Sequence, residues 1–251
     1  MIKDAAALIL LRDSDNGMEV CMLRRVETSG FAAGAYVFPG GAVDEHDKQL
    51  GETEFCLTKE EIDSLLQANK VAAVRETLEE AGILASANQN GLQIDDLLRH
   101  KLHEGEISFE DVLREHRVSI NLDEVVFYDH WLTPAGAPKR FNTRFFLAAA
   151  SADQIIMHDN KETDSSCWAL PKEILSLYEQ GEVKLMPVTH VQLKRLSAFD
   201  CVADILAVAK KQTTISVTEP VMNYGSGGQP VSVTINLSEG VVEYPVFKKR
   251  T

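Results

Sequence analysis

Apolar positions along the chain change period several times, and the changes mark its elements. Ala5 to Leu11 and Glu19 to Leu23 are short apolar runs flanking Asp13-Ser14-Asp15-Asn16-Gly17. Runs of this length around an Asn-Gly step predict two strands joined as a hairpin. Ala35 to Phe38 predicts a third strand, stopped by Pro39-Gly40-Gly41. Thr58-Lys59-Glu60-Glu61 has capping-box spacing and predicts a helix start. Val71, Val74, Leu78 and Ala81 recur at three- and four-residue intervals, which predicts a helix closed by Gly82. Helices are also predicted over Ile94 to Leu102, from Ser108 to about Arg117, and from Pro171 to about Tyr178. Strands return at Glu124 to Trp131 and Thr143 to Ala148, and Val191 to Lys210 reads as one long amphipathic helix. Near the end, Val231, Val233, Ile235 and Leu237 alternate with polar residues, the period of a half-buried strand, and Val241 to Val246 pairs back on it.

This order of elements predicts an α/β protein, a mixed β-sheet sandwiched between helices. With 251 residues, 45% of them hydrophobic, the chain is long enough for one large domain with appendages. The expected organisation is a main domain over 1–212 with two insertions, about 44–66 and a helical one at about 92–120. A β-rich extension follows over 213–251. A lone hairpin buries one apolar face poorly, so the extension is expected to pack on the same domain or on a second copy, making a homodimer.

A formal charge of −13 argues against non-specific nucleic-acid binding. It leaves phosphate chemistry open, because a bound cation inverts the local field. The four cysteines, Cys21, Cys56, Cys167 and Cys201, form no C-x-x-C pair, which predicts reduced thiols and a cytoplasmic location. No run approaches the roughly 18 apolar residues of a membrane span, the N-terminus lacks a signal-peptide pattern, and Lys248 to Thr251 is not a peroxisomal address.

The segment that carries chemistry is Arg75-Glu76-Thr77-Leu78-Glu79-Glu80-Ala81-Gly82-Ile83. On a helix, Glu76, Glu79 and Glu80 project from one face, where three like charges repel. A solvated face explains such a cluster in isolation; a hard divalent cation, Mg²⁺ or Mn²⁺, resolves the repulsion and suits carboxylate oxygens and phosphates. Arg75 lies one turn before Glu79 and can pair with it. Upstream, Phe38-Pro39-Gly40-Gly41 ends a strand in glycines whose backbone can approach a metal or phosphate closely.

These residues resemble the Nudix signature, G-x5-E-x7-R-E-U-x-E-E-x-G-U, where U is a bulky apolar residue. Arg75 to Ile83 matches its second half except at Thr77, and Gly41 matches its first glycine. The resemblance implies a Nudix fold and assigns metal binding to Glu76, Glu79 and Glu80, with Gly41 beside them. The spacing departs from the signature: Gly41 and Arg75 are 34 positions apart, so 20 residues are extra, and the early glutamate is replaced by Gln67. Glu52, Glu54, Glu60 and Glu61 lie in the extra segment as candidate replacements. A Nudix subgroup with such an interrupted box includes a peroxisomal enzyme that cleaves coenzyme A and acyl-coenzyme A. The approach from Gly30-Phe31 to Asp44, and the segment from Trp131 to Leu147, resemble that subgroup. A motif of some coenzyme A-cleaving Nudix enzymes has an arginine four residues before the glycine matching Gly34, and that position is Gly30 here.

The resemblance implies hydrolysis of a diphosphate linkage in a small nucleotide-like substrate. Coenzyme A or acyl-coenzyme A stands beside ADP-ribose-, NADH- and dinucleotide-type substrates. Glu76 or Glu162, the latter six residues before Trp168, is the candidate proton acceptor. Arg24, Arg25, Tyr36, Gly40, Arg140 and Arg144 are candidate substrate contacts; an arginine fork fits phosphate, and positions 140, 142 and 144 share a strand face. His130, His158 and His190 each look isolated and are read as ordinary surface or hydrogen-bonded residues. A non-catalytic ligand-binding module and an assembly scaffold are the rival classes.

Overall fold

The computed structural model of the chain describes residues 1–30, 32–88 and 94–246. Phe31, the 92–93 start of the expected helical insertion, and 247–251 of the expected extension lie outside the described residues. The elements run β1 (Ile2–Ser14), β2 (Gly17–Arg25), β3 (Ala35–Val37), β4 (Gly40–Ala42), α1 (Glu45–Gly51), β5 (Cys56–Leu57) and α2 (Ser64–Ala81). Next come α3 (Asp96–His103), α4 (Phe109–His116), β6 (Ile120–Asn121), β7 (Val126–Leu132), β8 (Arg140–Ala149), β9 (Thr163–Ala169) and α5 (Pro171–Glu179). The chain continues through β10 (Lys184–Leu185), α6 (Pro187–Leu196), α7 (Val202–Lys210), β11 (Val217–Thr218), β12 (Val221–Tyr224), β13 (Pro230–Leu237) and β14 (Gly240–Pro245).

The main sheet is mixed and runs β10-β3-β2-β1-β8-β7-β11, with β4 on β1 and β9 on β2. Strand β1 is parallel to β8 and antiparallel to β2. Both faces of the centre are covered, which is why Ala5 to Leu11 is a continuous apolar run and not an alternation. Even positions Ala6, Leu8 and Leu10 pack under α2, α3 and α4 with Phe146 and Ala148. Odd positions Ala7, Ile9 and Leu11 pack against α5, α6 and α7 with Phe145 and Leu147. The fold is the sandwiched α/β arrangement that the sequence predicts.

Several local expectations are corrected. No helix starts at Thr58, because Asp123 accepts the Thr58 hydroxyl at 2.7 Å and the Lys59 amide at 3.0 Å. The helix begins at Ser64 instead, with Asp63 accepting from the Leu66 amide. The expected single helix from Val191 to Lys210 is two, broken at Ser197 to Cys201, and the N-terminus of α7 is capped by the distant Asp13, which accepts from the Val202 amide. Gly40 and Gly41 do not merely stop a strand; they form β4, paired with Ala6 and Ala7 of β1. In the tail, β12, β13 and β14 make a three-stranded antiparallel sheet. Fully buried Ile235 joins the core on the α6 side, and the Tyr244 hydroxyl lies 2.8 Å from His190 Nδ1.

Candidate active site

Helix α2 carries the acidic cluster and ends at Gly82, whose φ of +71° is the left-handed conformation glycine adopts without strain. A side chain there would also collide with Arg99, which crosses over the helix end and donates to the carbonyls of Met157 and His158. Thr77, the departure from the signature, is buried, and its hydroxyl donates to the Ala73 carbonyl at 2.7 Å.

Arg75 organises the cluster. Its Nε and Nη2 bond both oxygens of Asp47 at 2.8 and 3.0 Å, its Nη1 reaches Glu76 at 2.9 Å and Glu79 at 3.1 Å, and its Nη2 also reaches the Ala42 carbonyl. Burial pulls the guanidinium pKa down, but the bonds to Asp47 and the charges of Glu76 and Glu79 outweigh it and hold it charged. Asp47 is 1% exposed and comes from α1, inside the extra segment. It is the acid that returns to the site. Glu52, Glu54, Glu60 and Glu61 are exposed, and Glu60 faces Lys70 at 3.8 Å. Gln67 donates its side-chain amide to the Gly51 carbonyl at the end of α1, a bond an ionised glutamate could not make.

Burial is the main reason that Glu76 rises from an ordinary value near 4.5 to about 7, with Glu79 adding to it against Arg75. Glu80 lies well above its usual range, again chiefly through burial and the neighbouring Glu76, although it accepts from the Gly40 amide at 2.9 Å. Gly41 sits under Glu76: a Cβ there would lie 2.4 Å from the carboxylate. Glu79 also faces His103 of α3, whose buried Nδ1 lies 3.5 Å away. Three acids, Asp47, Glu76 and Glu79, therefore surround one arginine in a poorly solvated place, with Glu80 beside Glu76. Among the described residues no group of three or more histidines, cysteines or carboxylates stands ready to hold an ion. The donor set nevertheless fits a hard divalent cation, being carboxylate throughout and carrying more negative charge than Arg75 neutralises.

Glu162 lies in the loop before β9 and meets Arg25 at 3.2 Å; the charges of both are felt at Glu80. That loop is tied to α2 by the Met157 amide on the Ala81 carbonyl, and to α3 by Arg99 and the Lys161–Glu104 ion pair. Arg24 and Arg25 face opposite sides of the sheet by alternation. Arg24 pairs with Asp164 at 2.7 Å on the α5 side, together with Tyr36. Tyr36 lines a 440 Å³ cleft with Cys167, Ile174 and Leu177, on the face of the sheet opposite the α2 glutamates. The structure thus brings Gly40, Gly41, Arg75, Glu76, Glu79, Glu80, Arg25 and Glu162 together, and does not bring Arg24 or Tyr36 to them. Arg140 is engaged by the Thr133 carbonyl at 2.9 Å and by Glu219. Arg144 lies on the α2 face beside Asp4, at 3.6 Å. His158 and His190 have hydrogen-bond partners, and His130 is bonded to Asn142 at 2.7 Å. The sequence pattern does not disclose Asp47, Arg99 or His103; only the capping-box spacing of Asp44 and Asp47 signals a helix start there.

A mixed sheet between helices, with an arginine-centred glutamate cluster on one helix above a glycine strand, defines the Nudix class. The family model of the NUDT19 Nudix domain matches residues 52–196, and the chain belongs to that family. Among curated relatives, the acyl-coenzyme A diphosphatase NUDT19 of Xenopus laevis is 27% identical over 235 residues, covering 75% of this chain and 62% of the relative. Putative nudix hydrolase 7 of Caenorhabditis elegans is 31% identical, covering 78% of this chain and 60% of the relative. The chain thus spans about three fifths of the length of these relatives. The crystal structure of a NUDIX hydrolase from Alicyclobacillus acidocaldarius superposes with a TM-score of 0.75 at 27% identity, covering 86% of this chain and 97% of that one.

Proposed function

We propose that the chain is a metal-dependent hydrolase that cleaves a diphosphate linkage in a nucleoside diphosphate derivative, with coenzyme A and acyl-coenzyme A as the first substrate class. The observation that carries this reading is the cluster of carboxylates on α2, where Arg75 is committed to Asp47, Glu76 and Glu79, and Glu76 and Glu80 are both pushed up in pKa, chiefly by burial. A simple ligand-binding module has no use for that charge density. Glu76, Glu79 and Glu80 would hold Mg²⁺ or Mn²⁺, which supplies Lewis-acid charge against the diphosphate oxygens. Arg75 fixes the rotamers of Glu76 and Glu79 from behind, with Asp47 holding the guanidinium in place. The glycines keep the strand backbone low beneath the carboxylates. Glu162, about half exposed on its loop, would accept a proton from water, with Glu76 as the alternative acceptor.

The coenzyme A preference rests on the family match and the NUDT19 relatives. ADP-ribose, NADH and dinucleoside polyphosphates remain the competing substrates. Incubating the protein with each, with Mg²⁺ or Mn²⁺, and identifying products by mass tests the reading. Cleavage of coenzyme A to a phosphopantetheine and adenosine 3′,5′-bisphosphate supports it, and cleavage of none rejects it. No helix among the described residues is long and apolar enough to cross a membrane. A cytoplasmic location and a symmetric homodimer complete the proposal; cell fractionation tests the first, and a purely monomeric sedimentation profile would reject the second.

A further inference from the structure

The register of the sheet places one cation opposite the acidic helix. Gly41 of β4 pairs with Ala6 of β1, Ala6 with Arg144 of β8, and Arg144 with His130 of β7. Paired residues share a face, so these four positions form a row across the α2 side of the sheet. Glu76 stands over the Gly41 end. Arg144 is two strands away, about 10 Å along the sheet, a gap that an arginine side chain and one phosphate group together fill.

Arg144 differs from the other arginines on this face. Arg25 bonds Glu162 and Ser29, Arg75 bonds Asp47, Glu76, Glu79 and Ala42, Arg99 bonds the Met157 loop, and Arg140 bonds Thr133 and Glu219. The Arg144 side chain is 15% exposed, and its buried Nη1 makes no hydrogen bond; Asp4 Oδ1, at 3.6 Å, is beyond bonding distance. A buried charged donor without an acceptor is costly and calls for a missing partner. The Asp4 carboxylate is also shared, since it accepts the Asn142 amide at 2.8 Å, and Asn142 in turn is bonded to His130 Nε2. These bonds fix the wall around the guanidinium, which keeps Asp4 at ion-pair distance while its Nη1 lacks a hydrogen-bond acceptor.

We propose that Arg144 binds a non-bridging phosphate oxygen of the substrate's diphosphate, on the side of the site opposite Glu76. This rests on the reading of the chain as a diphosphate hydrolase and names the protein group that contacts the phosphate directly. Its planar fork matches phosphate geometry, which the ammonium of lysine does not. Positioned this way, Arg144 selects for substrates with a charged diphosphate and offsets charge that the acidic helix cannot.

The test compares wild type, Arg144→Gln and Arg144→Lys, first by calorimetric titration with ADP in the presence of Mg²⁺, then by kinetics on coenzyme A and on its 3′-dephosphorylated form. Loss of a charged hydrogen bond predicts that Arg144→Gln weakens ADP binding and raises KM by about tenfold or more on both substrates. The value of kcat should fall far less than KM rises, and Arg144→Lys should recover part of the loss. Unchanged ADP affinity and KM would overturn the proposal. An effect confined to the substrate bearing the 3′-phosphate would also overturn it, since Arg144 would then take a different phosphate. If Arg144→Gln fails to fold by circular dichroism, Arg144→Lys carries the comparison. If wild type cleaves neither substrate, the hydrolase reading fails while the ADP titration still decides the role of Arg144.

Discussion

Asp47→Asn isolates what the extra segment contributes. Asp47 is 1% exposed and accepts two bonds from Arg75 at 2.8 and 3.0 Å, besides the Asp44 amide at 2.9 Å. The amide that replaces the carboxylate loses the charge and turns one acceptor into a donor facing the guanidinium. Breaking a buried ion pair typically costs 3–5 kcal/mol. Arg75 keeps Glu76 and Glu79 as counter-charges, so the low end applies, about 3 kcal/mol. In a domain of this size that lowers Tm by roughly 6–12 °C. The same change frees Arg75 to lean on Glu76 and Glu79 and compete with a cation for them, so Mn²⁺ affinity falls as well. Calorimetric melting and Mn²⁺ titration read both effects. A variant that melts with wild type and binds Mn²⁺ equally would show that α1 is decoration and that the Arg75–Asp47 pair does not support the site.

Three further outcomes follow from the geometry. Gly41→Ala places a Cβ 2.4 Å from the movable Glu76 carboxylate, whereas Gly40→Ala meets the backbone of Ala6 and Ala7 at 2.4 and 2.6 Å; the first should lose hydrolysis while folding, and the second should fold poorly, as soluble yield and activity per folded molecule would show. Glu76 holds its proton more tightly folded than unfolded, so its contribution to stability is complete below about pH 4.5 and lost as pH rises through 7, ~3 kcal/mol for a shift to about 7. Metal-free protein should therefore unfold more easily at pH 8 than at pH 5, with Mg²⁺ reversing the loss, and denaturation curves that show stability rising over this range would contradict the assignment. Truncation after Gln212 removes β11 to β14 and uncovers the core around Ile235, so the shortened chain should melt earlier by several degrees; an unchanged melt would mean the tail is not part of the core.

What the sequence disclosed was local. The glutamate spacing on α2, the Gly82 cap and the hairpin of β1 and β2 depend on residues within a few positions of one another, and each is realised. The Arg75–Asp47 pair spans 28 positions, and nothing near Asp47 marks it as the partner. The break between α6 and α7 is fixed by Asp13, 189 positions away, so periodicity alone reads one helix. The helix expected at Thr58 is lost to Asp123, 65 positions away. The faces of Arg24 and Arg25 follow from strand alternation, but only the packed sheet says which face the glutamates occupy. For Arg144 the shared face was legible, whereas the missing hydrogen bond at its Nη1 required the structure.

Glu79 and Glu80 are proposed to hold a divalent cation on α2. Calorimetric titration of Mn²⁺ into wild type and into the Glu79→Gln, Glu80→Gln double variant, with circular dichroism confirming the fold, decides this. Saturable binding to wild type should be lost in the folded variant. Undiminished binding in that variant would contradict the proposal.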